Sequence, residues 1–171
     1  MAEEIINRVA NSKLEVFDLE DYYQEGTRSI IDIKDWLEHE LILREEPFRT
    51  AVKTYDWSQY KNHYVALHCS NDAIVPNWAY MLITLALKPF AKHTAFGTLN
   101  DLETELYQDQ LSQLDLTVYK NKPVIVKGCS NKPVPKSAFI MATNMLETVA
   151  KTLMFGEACS FVPLYKRSSP K

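Results

Sequence analysis

The strongest nucleophiles and softest metal donors in this sequence are three cysteines, and two of them stand in the same tripeptide: Cys69-Ser70-Asn71 and Cys129-Ser130-Asn131. Each tripeptide follows a short apolar run, Tyr64–Leu67 or Val124–Val126, and each precedes a proline, Pro76 or Pro135. If that order is strand, turn and helix, both thiols lie at strand C-terminal ends beside helix N-termini. That edge of an open α/β sheet is where ligands bind. The positive end of a helix lowers a thiol pKa, which favours nucleophilic attack or metal ligation. Cys69, Cys129, Cys159 and His68 supply donor types that suit zinc or an iron–sulfur cluster. Cys159-Ser160-Phe161-Val162-Pro163 faintly repeats the CSN and VP order, so a third thiol is a candidate to converge with them.

The same residues have a plainer reading. Free cysteine is among the most buried residue types and often only packs. Ser and Asn are ordinary turn and N-cap formers. The intervals of 60 residues from Cys69 to Cys129 and 30 from Cys129 to Cys159 match no zinc pattern. Adjacent His68 and Cys69 would point to opposite faces of one strand.

Other chemistry-bearing types are less telling. His39 and His63 suit solvated or strand-edge positions, and His93 suits a helix C-terminal cap. Neither Ser70 nor Ser130 lies in a GxSxG turn. Asp18, Asp21, Asp32 and Asp35 are candidate metal or acid/base carboxylates, although such residues more often cap helices and face water. Arg44 and Arg49 flank a helix and could bind an anion but better suit surface ion pairs, and Trp36, Trp57 and Trp78 suit core or interface anchors. The four glycines, Gly26, Gly97, Gly128 and Gly156, are too far apart for a dinucleotide or P-loop cradle.

The elements that must position the CSN turns are marked by an internal repeat. Residues 60–71 read YKNHYVALHCSN and residues 119–131 read YKNKPVIVKGCSN. Val75-Pro76 then matches Val134-Pro135, Ala79 matches Ala138, Tyr80 matches Phe139, Thr84 matches Thr143, and Phe96-Gly97 matches Phe155-Gly156. The segments 60–97 and 119–156 therefore read as a duplicated strand–CSN–helix unit, with its two thiols expected on one edge of one sheet. The pattern predicts helices over 76–91 and 135–154, each begun by its proline. The first is apolar nearly all round, which predicts a central, buried helix.

Elsewhere the pattern predicts a short helix over 3–10, a strand over 14–19 and a helix over 45–55. It also predicts a helix over 98–114 capped by Thr98, and a last strand over 159–165. Phe17–Tyr22 (FDLEDY) and Ile31–Trp36 (IDIKDW) resemble each other and mark two similar strand ends or helix starts. The expected fold class is α/β, a mixed or largely parallel sheet with flanking helices. The expected organisation is a single domain over 1–171, with an N-terminal segment over 1–59, the repeat copies 60–97 and 119–156, and a flexible tail 166–171.

Length and composition agree with a globular chain. There are 171 residues, of which 46% are hydrophobic and 24% charged. Nineteen basic against 22 acidic residues leave a net charge of −3, which excludes a strongly basic nucleic-acid footprint. The longest apolar run, 78–87, is about half of the ~20 residues a membrane span needs. The N-terminus lacks the apolar core of a secretory signal, and the odd, widely spaced cysteines suit a reducing cytoplasm.

The runs DIKDWL (32–37), LILREEPFR (41–49), DWSQYKN (56–62) and CSNDAIVPNWAYMLI (69–83) resemble an uncharacterised, mainly Bacteroidetes family catalogued as a domain of unknown function. The resemblance covers nearly the whole chain. It implies a bacterial cytoplasmic protein whose relatives are encoded near iron–sulfur assembly genes. It implies no activity, cofactor or catalytic residue.

Three functions follow as expectations. The first is a non-catalytic thiol-bearing protein that binds a metal, zinc or iron–sulfur, or a protein partner in sulfur metabolism. The second is a small enzyme using a CSN cysteine as nucleophile. The third is a structural module that assembles as a homo-oligomer.

Overall fold

A computed structural model of the chain describes residues 14–128 and 131–168. The short helix expected over 3–10, and Cys129 and Ser130, lie outside the described residues. Two compact units divide the chain, Gln24–Leu106 and a second built from Met1–Tyr23 with Tyr107–Lys171.

The Gln24–Leu106 unit holds a three-stranded, wholly parallel sheet. Its strands are Arg28–Asp32 (β2), Tyr64–His68 (β3) and His93–Phe96 (β4), in the order β2-β3-β4. Parallel strands need crossovers. Glu45–Thr54 (α1) lies between β2 and β3, and Asn77–Leu87 (α2) between β3 and β4. One core joins Ile31, Val65 and Leu67 to Phe48 and Val52 of α1 and to Ala79, Ile83 and Leu87 of α2. A smaller cluster joins Tyr64, Ala66 and Ala95 to Leu102 and Leu106 of Leu99–Leu111 (α3). The three tryptophans are anchors here: Trp36 stacks edge-on against Phe48 and Tyr55, the Trp57 indole donates to the Val52 carbonyl at 2.8 Å, and Trp78 meets Phe48 edge-on.

The second unit holds Glu15–Asp18 (β1), Pro123–Lys127 (β5), Thr152–Glu157 (β6) and Ser160–Lys166 (β7), in the order β1-β5-β6-β7. The first three run parallel, and β7 returns antiparallel on β6. Lys136–Glu147 (α4) joins β5 to β6. Its core unites Phe17, Leu19, Val124, Val126 and Leu153 with Ala138, Ala142 and Leu146 of α4 and with Tyr107 and Leu111 of α3.

The same local geometry occurs in both units at matching positions. Asn62 and Asn121, the asparagines of the two YKN runs, have φ of 64° and 58°. Asn and Gly tolerate that left-handed conformation best, because a Cβ crowds it. Asn62 N–H donates to the Phe90 carbonyl and Asn121 N–H to the Val149 carbonyl, both at 2.9 Å. Ala79 and Ala138 each donate to the carbonyl of the proline three residues earlier, at 3.0 Å. Tyr80 meets Phe96 edge-on at 5.3 Å, and Phe139 meets Phe155 edge-on at 5.9 Å. The FDLEDY and IDIKDW runs are each a strand end passing into a 3-10 turn. Asp18 accepts from Glu20 N–H and Asp32 from Lys34 N–H.

Several expectations are corrected. The second helix stops at Glu147 rather than 154, and Thr152–Glu157 is a parallel strand. Pro76 and Pro135 are extended N-cap residues one position before their helices, with no side-chain cap. Lys166 and Arg167 belong to ordered structure rather than a loose tail. Lys166 closes β7, and Arg167 donates to the Glu147 and Thr148 carbonyls at 2.8 Å. Helix α2 is not enclosed. It buries Ala79, Ile83 and Leu87 and leaves Met81 and Leu85 outward, each 65% exposed.

Candidate functional site

The C-terminal ends of β2 and β3 bring together the polar groups of one CSN turn. Asp32, the last residue of β2, is the hub. Its Oδ1 accepts Lys34 N–H at 3.1 Å, capping the 3-10 turn Ile33–Trp36, and Ser70 N–H at 3.0 Å. Its Oδ2 lies 3.9 Å from His68 Nε2. Burial opposes the Asp32 charge. Hydrogen bonds from Ser70 and Lys34, with His68 nearby, outweigh it and hold the carboxyl below its ordinary pKa. Asn71 donates to the Glu40 carbonyl at 2.8 Å, so the CSN turn is tied to the segment that follows β2.

Beside this hub lies an open cavity of about 620 Å³ lined by Ala73, Ile74, Val75, Asn77, Tyr80, Met81 and Phe96. It is mostly apolar, and Tyr80 is its link to the polar cluster. Burial, then the proximity of Cys69 and of Asp32, raises the Tyr80 phenol pKa, so it is a neutral hydroxyl at physiological pH. Ile74 is 93% exposed and Phe96 67% exposed, a placement that packing within the chain does not require.

Cys69 is a free, half-buried thiol packed against the α1–α2 core. It is not the cap of α2, which begins at Asn77 after the loop 70–76, although it comes near Tyr80 in that helix's first turn. Ser70 and Asn71 are likewise not helix caps; Ser70 binds the end of β2 and Asn71 the segment after it. Cys129 lies outside the described residues, but the expectation that the strands before Cys69 and Cys129 share one sheet is corrected. Cys69 follows β3, whereas β5, the strand before Cys129, belongs to the other sheet. Cys159 is exposed in the turn between β6 and β7. Among the described residues no three His, Cys, Asp or Glu side chains form a metal-sized group.

The second unit carries the matching edge with different chemistry. Lys127 stands where His68 does and pairs with Asp18 at 3.1 Å. Phe139 stands where Tyr80 does. Asn131 N–H donates to Glu20 Oε1 at 2.8 Å, within the 3-10 turn after β1, whereas Asn71 binds Glu40 beyond its own 3-10 turn. His68 and Tyr80 thus distinguish the Gln24–Leu106 unit from its counterpart.

Two of the other histidines, His63 and His93, have structural partners. His63 Nδ1 is 2.8 Å from Ser29 Oγ. His93 begins β4 rather than capping a helix, and its Nε2 is 3.0 Å from Glu105 Oε2. Arg44 pairs with Glu38 and Arg49 with Glu45, as surface arginines do. Sequence reasoning named Asp32 among carboxylates that cap helices, as it does for the 3-10 turn, but missed its bond to Ser70 and missed Tyr80 as cavity wall. The signal available was the resemblance of FDLEDY to IDIKDW, which placed an aspartate at each strand end.

Among the described residues no helix is long and apolar enough to cross a membrane. A family model described as "Protein of unknown function (DUF2480)" matches residues 3–167. No curated protein and no solved structure matches the chain.

Proposed function

Because the chain belongs to that family, whose description assigns no activity, we propose from its own geometry that it is a non-catalytic binding protein. Its recognition site is the CSN edge of the Gln24–Leu106 unit. The observation that carries the reading is the apolar cavity walled by Tyr80 and Phe96, set beside the ionised Asp32. Binding sites are commonly apolar with a few convergent polar groups. The ligand class that fits is an apolar ring or side chain bearing a cation or hydrogen-bond donor. Tyr80 stacks or hydrogen-bonds to it, and Asp32 attracts its charge. In this reading Cys69 is a packed wall of the site rather than a nucleophile. Nucleophilic catalysis needs a base hydrogen-bonded to the thiol, and Cys69 packs instead among apolar side chains. The recurrence of the YKN turn, the proline-led helix and the aromatic pair supports descent of both units from one duplicated segment, with binding retained in the one that has His68 and Tyr80. The setting in this reading is the cytoplasm, where the free thiols stay reduced.

The test uses two small probes of similar ring size. Tryptamine pairs an indole with a cation, and indole-3-propionate pairs it with an anion. Tryptamine should bind about fivefold more tightly, the worth of roughly 1 kcal/mol for a partly exposed charge pair. Asp32→Asn should remove that preference, and Phe96→Ser should weaken both probes. Equal affinity of the two probes, or no effect of Phe96→Ser, overturns the assignment.

A further inference from the structure

The outward stripe of α2 has no role in the polar hub of the binding site proposed above. Asn77, Met81, Thr84, Leu85 and Lys88 recur at helical spacing and all are exposed. The matching helix of the other unit is an internal control. Met81 and Phe96 keep exposed apolar counterparts there, Ile140 and Phe155. The positions that differ are therefore the informative ones. Where α2 has Leu85, α4 has the exposed Asn144, and where the preceding loop has Ile74, the other has the exposed Pro133. The same local fold is thus built with a polar residue in one place and a smaller, rigid one in the other. Packing within the chain requires neither Leu85 nor Ile74 on this surface. Ile74, Met81, Leu85 and Phe96 together expose roughly 500 Å² of apolar side chain, the size at which a surface patch marks an interaction site.

The charges around the stripe select its occupant. The end before the helix carries the exposed Asp72, and the Leu85 end carries the exposed Lys88, with Arg49 and Lys53 of α1 lining the groove beside Leu85. The ends of α4 carry charge in the reverse order, the exposed Lys136 at its start and the exposed Glu147 at its end, so the apolar centre rather than the charge distinguishes α2. A surface with an apolar centre, one acidic end and one basic end is complementary to itself when turned through a two-fold axis. We propose that two copies of this chain associate through α2, packed antiparallel about that axis. Met81 of each copy then meets Leu85 of the other, and the Asp72 end of each faces the Lys88 end of the other. Antiparallel packing also sets the helix dipoles in their favourable sense. The two patches together bury on the order of 1,000 Å², which with their polar rims reaches the lower range of specific interfaces. Ile74 and Met81 also line the cavity beside Tyr80, so the second copy supplies its missing wall.

Sedimentation equilibrium of the purified chain tests this without any ligand, so its outcome is separate from that of the binding proposal. The expected mass is twice the 19.7 kDa of one chain at micromolar concentration. Leu85→Asn, which copies the residue of α4, should keep the circular dichroism spectrum and weaken association at least tenfold. Asp72→Lys and Lys88→Glu should each weaken it several-fold, and the double variant should restore it. Monomeric mass at 100 µM, full association of Leu85→Asn, or a double variant no better than its parents overturns the proposal. Restoration separates pairing of these two ends from a contact that merely lies nearby.

Discussion

Replacing Asp32 by alanine removes the acceptor of two backbone donors at once, Lys34 N–H at 3.1 Å and Ser70 N–H at 3.0 Å. The first bond is an N-cap, worth about 1 kcal/mol when truncated to alanine. The second is a charge-assisted bond, for which about 1.5 kcal/mol is the lower bound. The side chain is 17% exposed, so water reaches the freed donors in part, and alanine removes the penalty of partly burying a charge. The net expectation is a loss of about 2 kcal/mol at pH 7, or roughly 5 °C in melting temperature for a chain of this size. All three tryptophans, Trp36, Trp57 and Trp78, belong to the unit that holds Asp32, so tryptophan fluorescence in urea reads that unit.

The dependence on pH has a definite sign. The native pKa of Asp32 is lowered, so its contribution is fully present above the unfolded carboxylate value near ~3.9 and is lost as pH falls through the lower native value. The gap between wild type and Asp32→Ala should therefore be constant from neutral pH down to mild acid and shrink below that. An unchanged urea midpoint at pH 7, or a gap that widens in acid, would refute the reasoning that Asp32 ties the CSN turn to β2.

Other expectations follow from the same geometry. Ile83→Ala, which empties a fully buried position of α2, should cost about 3 kcal/mol in urea unfolding, whereas the outward Leu85→Asn should change monomer stability by less than about 0.5 kcal/mol. Asn62→Ala and Asn121→Ala place a Cβ residue without a compensating amide at positive φ and should each cost about 1 kcal/mol, while the glycine variants stay near wild type. With Ellman's reagent on native protein in a Cys129→Ser background, exposed Cys159 should react before half-buried Cys69, and adding Cys159→Ser should remove the fast phase. A fast phase that survives in Cys159→Ser would place reactivity at another thiol.

What was legible in the sequence is what local chemistry decides. Tyr64–Leu67 and Val124–Val126 are dense in apolar residues, as central strands are, and both lie inside their sheets. Thr98 and Asp101 form a reciprocal cap, so the start of α3 was readable from these two residues. The strands after each helix were not legible, because His93–Phe96 is too short to show alternation. Thr152-Leu153-Met154 likewise continues the apolar spacing of α4 without a break. Burial of α2 was overestimated because apolar residues on every face say nothing about which face the chain itself covers. The placement of β3 and β5 in separate sheets depends on long-range pairing, β1 with β5 and β2 with β3, and no local signal encodes it. Of the site, the CSN residues were readable as a turn beside a strand end. Asp32 and Tyr80 come to that turn from other elements of the unit, so only the fold brings them into view.

The most direct test of the account is a backbone amide NMR titration of the chain with tryptamine. Shifts should concentrate at Asp32, His68–Met81 and Phe96, and the same titration of Asp32→Asn should need about fivefold more probe. Shifts centred instead on the apolar cleft lined by Leu111, Met141 and Met145, or the absence of saturable shifts at Tyr80 and Phe96, would contradict the assignment of binding to the CSN edge.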